Sequence, residues 1–114
     1  MQLELAKELD LPAIVHERDA HEDGMRMVED FPEVTGVLTF KNARKALEVA
    51  GNIPLERIVL ETDCPYMSPE PFRGKRNDPG KLYRMAERLA ELRGLTVEEI
   101  HAITTENGKR LYRI

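Results

Sequence analysis

The sequence predicts an α/β protein built from parallel βα units, and three observations carry that prediction. Residues 13–15, 34–40 and 58–60 are short runs of β-branched and apolar residues with the composition of buried strands. Between and after them, apolar residues recur at helical spacing. His16 and Asp63 fall at or just beyond the ends of the first and third runs, and ligands of parallel α/β sheets gather at the C-terminal ends of strands.

Each element has its own local cause. Leu3, Leu5, Ala6 and Leu11 can share one helical face around Lys7 and Glu8, which predicts a short amphipathic helix over residues 1–10. No capping residue precedes Met1, as expected of a helix that continues from a longer chain. Pro12 stops that helix, and Ala13-Ile14-Val15 runs as a strand into His16. Residues 20–30 return to helical spacing through Met25, Met27 and Val28, weakened by Gly24 and ended by Asp30-Phe31-Pro32. After the strand at 34–40, Ala43, Ala46, Leu47 and Ala50 line one face of a helix over 42–50, with Gly51-Asn52 as its stop. The third strand leads into Glu61-Thr62-Asp63. A long loop, 64–77, follows with Pro65, Pro69, Pro71 and Gly74, and loops of that length are often functional.

The C-terminal part is predicted helical. Asp78-Pro79 opens a helix through Leu82, Met85, Ala86, Leu89, Ala90 and Leu92, closed by Gly94. Thr96-Val97-Glu98-Glu99 is a capping box for a helix through Ile100 and Ile103, and a last short helix carrying Leu111 is predicted to begin near Thr104 or Thr105.

Length and composition bound the function. With 114 residues and 41% hydrophobic residues, one domain with one modest core is expected over residues 1–114. The chain is 33% charged and has no apolar run approaching ~18 residues, so neither a membrane span nor a secretory signal is predicted, and a soluble, cytoplasmic protein is expected. The single cysteine, Cys64, excludes an internal disulfide framework and fits a reducing compartment. A net charge of -4 argues against a generic nucleic-acid binder. The average hides an asymmetry. Residues 1–40 carry ten acidic side chains against Lys7, Arg18 and Arg26, whereas residues 71–93 carry seven basic side chains against Asp78, Glu87 and Glu91. Any anion-binding face therefore belongs to the second half. The alternative is a solvated helix face on which Arg84 and Arg88 are flanked by Glu87 and Glu91.

His16 offers an imidazole nitrogen and Asp63 a hard carboxylate oxygen, both ligand types for divalent metals. Two ligands do not make a site, and a histidine at a strand end or an aspartate in a turn has an ordinary structural reading as well. Glu61-Thr62-Asp63-Cys64-Pro65-Tyr66 is the more specific signal, because it holds a carboxylate between a buried strand and a proline turn. This block, with Ile14-Val15-His16-Glu17-Arg18-Asp19-Ala20, Leu38-Thr39-Phe40-Lys41-Asn42-Ala43, Ile53-Pro54-Leu55-Glu56-Arg57, Arg73-Gly74-Lys75-Arg76-Asn77 and Thr104-Thr105-Glu106-Asn107, resembles the TatD family of metal-dependent deoxyribonucleases, in the family's order.

The resemblance implies a partial (β/α)8 barrel of about three parallel strands with flanking helices and a helical C-terminus. A whole barrel takes about 250 residues, so the single domain would be incomplete and its open sheet would favour completion by a complementary N-terminal chain or by a homo-oligomer. It implies hydrolysis of phosphodiester bonds in DNA or another phosphodiester substrate, with a divalent ion (Mg2+, Mn2+ or Zn2+) as cofactor. His16 becomes a metal ligand and Asp63 a metal ligand or general base. Arg73, Lys75 and Arg76 become phosphate contacts, as their charge also favours. Glu17, Arg18 and Glu61 become supports for the metal ligands.

The sequence also departs from the family. Its opening His-x-His pair and carboxylate ligand would lie upstream of residue 1. Gly36-Val37 runs directly into Leu38-Thr39-Phe40, as though one βα unit and its strand-end histidine had been excised. His21 and His101 are poor substitutes, one within a helix and the other on a C-terminal helix, and Gly108 stands where Ala is common. The expectation is therefore either a hydrolase, whole or split, or a catalytically inactive remnant serving in binding or assembly.

Overall fold

The computed structural model describes residues 2–16, 35–37 and 50–114, with residues 15, 16 and 35–37 entering through their backbone only. The helix predicted at 20–30, most of that predicted at 42–50, strand residues 34 and 38–40, and Glu17 and Arg18 lie outside the described residues. The elements in chain order are α1 (Gln2–Glu8), β1 (Ile14–His16), β2 (Thr35–Val37), a 3-10 turn (Leu55–Arg57), β3 (Ile58–Val59), a second 3-10 turn (Pro79–Lys81), α2 (Tyr83–Arg93) and α3 (Val97–Tyr112).

The three strands form a parallel sheet in the order β1-β2-β3. His16 pairs with Val37, and Val37 with Val59, so one middle strand holds both neighbours in register. The connections, residues 17–34 and 38–57, each exceed the about a dozen residues that a parallel crossover requires.

The core lies between β3 and the C-terminal helices. Ala50, Ile53 and Ile58 pack with Ala86, Leu89 and Ala90 of α2 and Ile100 of α3, bordered by Leu55, Leu60, Leu95 and Val97. Val59 and Leu111 form a second buried pair. Asn107 ties α3 to the strand: its Nδ2 donates to the carbonyls of Leu55 and Ile58, each at 2.7 Å. The carbonyls that open the 3-10 turn and follow it thus share a donor from a residue some fifty positions away.

The helix signals near residues 94–99 act as expected. Gly94 adopts the left-handed conformation (φ 65°), and the Leu95 N–H returns to the Ala90 carbonyl at 3.1 Å. The Thr96 hydroxyl accepts from the Glu99 N–H while the Glu99 carboxylate accepts from the Thr96 N–H, a complete capping box.

Three expectations need correction. No separate helix begins at Thr104 or Thr105, because α3 runs unbroken from Val97 to Tyr112. The Thr104 hydroxyl donates to the Ile100 carbonyl at 2.8 Å, the bond of a threonine inside a helix rather than of an N-cap. The helix predicted from Asp78-Pro79 starts with one 3-10 turn, closed by the Lys81 and Leu82 N–H groups, before α2 proper. The shared apolar face of α1 is not buried: the helix has no buried residue, and Leu5, Leu9 and Leu11 are all more than half exposed. Among the described residues no helix is long and apolar enough to cross a membrane.

Candidate functional site

Burial of Ile58 and Val59 fixes the end of β3, and residues 60–63 leave it half-buried towards the surface. The loop beyond is held by its own hydrogen bonds. The Tyr66 N–H donates to the Asp63 carbonyl, that of Phe72 to Pro69, that of Lys75 to Phe72 and that of Asn77 to Pro65, at 2.7 to 3.0 Å. The Ser68 hydroxyl, itself buried, donates to the Lys75 carbonyl at 2.8 Å.

Asn77 is the centre of this arrangement. It is 3% exposed, and its Nδ2 donates to the Thr62 hydroxyl and to the Tyr66 carbonyl, both at 2.8 Å. Its Oδ1 accepts from the Asp78 N–H at 3.0 Å. One side chain therefore joins the segment leaving β3, the start of the loop and the start of the next helix. Met67, next to this junction, takes a left-handed φ of 57°, a conformation uncommon for a residue with a Cβ.

Between the loop and α2 lies an open cleft of about 940 Å3. Thr62, Asp63 and Tyr66 line it near the end of β3, Lys75 and Arg76 line it from the loop, and Arg84 and Arg88 from α2. Most cations here are paired. Arg73 meets Glu70 at 3.1 Å, Lys81 meets Asp78 at 2.9 Å, Arg84 meets Glu87 at 2.7 Å and Arg88 meets Glu91 at 2.6 Å. Lys81 and Arg84 also sit over the Phe72 ring, 5.3 and 5.9 Å from its centre. The hydrogen bond from Lys81, helped by the charges of Lys81 and Arg76, holds the Asp78 carboxyl below its ordinary value of 3.8.

The basic face is thus two things at once. On α2 it is the solvated, internally neutralised surface that the i,i+3 spacing allows. On the loop, Lys75 and Arg76 are exposed and make neither a side-chain hydrogen bond nor an ion pair among the described residues. Of the three phosphate contacts expected, Arg73 is engaged with Glu70, and Lys75 and Arg76 are available.

Asp63 and Glu61 both line the cleft, half-buried. His16 ends β1, two strands from β3, about 10 Å away at the usual strand spacing, and its backbone is level with Val59 rather than with Asp63. Among the described residues no group of three or more His, Cys, Asp or Glu side chains could hold a metal ion. These residues do not by themselves fit a divalent metal, which in catalytic sites takes about three protein ligands. Glu17 and Arg18 lie outside the described residues. Two residues of the site drew no role from the sequence: Asn77, the junction, and Tyr66, exposed at the cleft. The run Tyr66-Met67, two large side chains at a turn, was the only signal for the second.

Residues 31–113 match the family model for TatD-related DNases. The chain is 42% identical to the uncharacterized metal-dependent hydrolase YabD of Bacillus subtilis, over 99% of this chain and 55% of that protein. It is 32% identical to YcfH of Escherichia coli K12, also named an uncharacterized metal-dependent hydrolase, over 98% of this chain and 53% of that protein. The YabD alignment runs over 141 residues, 27 more than the 114 of this chain, so at least that many positions of YabD have no counterpart here. Among solved structures, YJJV, a TatD homologue of Escherichia coli K12, superposes with a TM-score of 0.69 at 28% identity, over 99% of this chain and 54% of that one. A TatD-family hydrolase from Entamoeba histolytica superposes at 0.74 with 23% identity, over 95% of this chain and 45% of that one, and shows the shared fold. The chain spans about half the length of the relatives it matches, and its parallel strands and outer helices are part of their (β/α)8 barrel. The chain belongs to the TatD family.

Proposed function

We propose that these 114 residues are the DNA-binding part of a metal-dependent phosphodiesterase, with Lys75 and Arg76 contacting phosphate and Asp63 facing the scissile region. The observation that supports this reading is the cleft, which brings a carboxylate just beyond β3 and two cations that have no side-chain hydrogen bond or ion pair among the described residues to the same opening. Negative phosphates would be drawn to Lys75 and Arg76, while the paired arginines of α2 would add little attraction. Hydrolysis would need metal ligands beyond the described residues, so Asp63 alone is assigned to orient substrate or a water at the end of β3.

A second reading, a binding or assembly module without activity of its own, is favoured by one observation: at least 27 positions of YabD are missing from within the aligned span. If they include the βα unit whose excision the sequence indicates, the site loses a strand end as well as a ligand. Completion by a complementary chain would restore it.

The test of the DNA-binding reading is fluorescence anisotropy of the 114-residue chain with labelled single-stranded DNA at a series of salt concentrations. Weak binding that falls steeply with salt is expected, and the Arg73→Ala/Lys75→Ala/Arg76→Ala variant should weaken it further. Binding unchanged in that triple variant would return the loop to a structural role.

A further inference from the structure

We infer that Tyr66 is a stacking platform for a nucleobase of a single-stranded nucleic acid whose phosphates lie on Lys75 and Arg76. This inference rests on the DNA-binding reading and adds a residue that reads the base rather than the backbone. Tyr66 is 74% exposed, and the neighbouring Met67 is 52% exposed. Both line the cleft, so the two side chains add apolar surface beside its cations.

What separates Tyr66 from an ordinary exposed tyrosine is the contrast between its backbone and its ring. The Tyr66 N–H is bonded to the Asp63 carbonyl at 2.9 Å, and its carbonyl accepts from the buried Asn77 amide at 2.8 Å. Both polar groups of its main chain are therefore anchored, one to the residue that ends the β3 segment and the other to the loop's hydrogen-bonding centre. The backbone that carries the ring is already ordered before anything stacks on it, which removes the backbone part of the ordering cost. Lys75 and Arg76, exposed and without an ion-pair partner among the described residues, line the same cleft. An exposed aromatic next to cations that can track a phosphate chain is the combination that binds single strands, since every base has a π-face and duplex DNA keeps its bases stacked on each other.

The chain has no tryptophan, so Tyr66→Trp introduces a single reporter at the proposed platform. Two labelled probes of equal length and charge discriminate the roles: a (dT)12 oligonucleotide and a twelve-unit abasic deoxyribose-phosphate oligomer. Tyr66→Ala should weaken (dT)12 binding about five- to 150-fold, the range for loss of one stacked base, and should change binding of the abasic oligomer less than about twofold. Tyr66→Trp should retain (dT)12 binding, with its fluorescence quenched by (dT)12 and not by the abasic oligomer. Since Tyr66 is exposed, circular dichroism of both variants should match the parent. Equal effects of Tyr66→Ala on the two probes, or none on either, would overturn the stacking role. If Tyr66→Ala is without effect while the triple variant at Arg73, Lys75 and Arg76 loses both probes, stacking fails and the phosphate reading stands. Absence of binding to either probe by the unaltered chain overturns both.

Discussion

Two buried asparagines, Asn77 and Asn107, tie the segments on either side of β3 to more distant parts of the chain. Each uses one amide nitrogen to donate to two oxygen acceptors from separate points of the chain. A group of this kind contributes modestly when its bonds are made and costs about 1–3 kcal/mol when a partner is left buried and unpaired. Asn77→Ala is expected to lower stability by about 2 kcal/mol on that basis and to open the loop locally. Trypsin can read the opening, because Arg73, Lys75 and Arg76 are cleavage sites within the loop. Cleavage there should accelerate about tenfold or more in Asn77→Ala, since 1–2 kcal/mol shifts an opening equilibrium by a factor of about 5–30. An unchanged rate of loop cleavage would show that Asn77 does not hold the loop.

At the scale of elements, α3 is the best specified part of the chain. Its N-terminus is fixed by Thr96 and Glu99, and its interior tolerates Gly108 because Ile100, Thr104, Asn107 and Leu111 are buried along one face. Packing thereby overrides a weak propensity. Thr96→Ala should cost about 1 kcal/mol, the usual cost of losing an N-cap, seen as a lower urea midpoint. Glu99 makes the cap sensitive to pH. Hydrogen bonds from the Thr96 backbone, then from its hydroxyl, hold the Glu99 carboxyl below its ordinary value of 4.5. A carboxyl lowered on folding adds stability that is fully present above the unfolded value and is lost as pH falls through the folded one. The stability difference between the parent and Glu99→Gln should therefore be constant from pH 7 to about 5 and shrink below 4.5. A difference that stays level down to pH 3 would mean that the carboxylate does not act through its charge.

The described residues contribute three strands of a barrel, and what the 114 residues can do by themselves follows from that. A middle strand pairs with both β1 and β3, so the sheet is continuous across the point where the sequence departs from the family pattern. Leu5, Leu9, Leu11 and Ile14 are exposed, an apolar surface without cover among the described residues. Of the ligands that the family resemblance assigns, only His16 and Asp63 fall within this chain. Phosphodiester hydrolysis requires a metal held firmly enough to stabilise developing charge, and misplacement by ~1 Å can cost on the order of 100-fold in rate. Calorimetry of the 114-residue chain with Mn2+, Mg2+ or Zn2+ should therefore show weak binding at most, and DNA cleavage should not rise with Mg2+. Robust Mg2+-stimulated cleavage by this chain, abolished by Asp63→Asn, would overturn the binding-part reading and require a complete site within it.

Local chemistry was legible in the sequence wherever short-range forces decide the outcome. The capping box at Thr96, the left-handed Gly94 and the strand leading to Asp63 all depend on residues a few positions apart, and all three have the conformations expected of them. The six family blocks, read in order, were enough to indicate the barrel to which the chain belongs. Tertiary structure decided what depends on distant partners. α3 runs through Thr104 because its buried face has a core to rest on, whereas α1 has no buried residue. The sequence already set Arg84 and Arg88, flanked by Glu87 and Glu91, apart from the loop cations; the folded loop added that Arg73 meets Glu70, while Lys75 and Arg76 have no ion pair among the described residues. The roles of Asn77 and Tyr66 arise from where a folded loop puts one amide and one ring, and no sequence period encodes a loop that closes on itself.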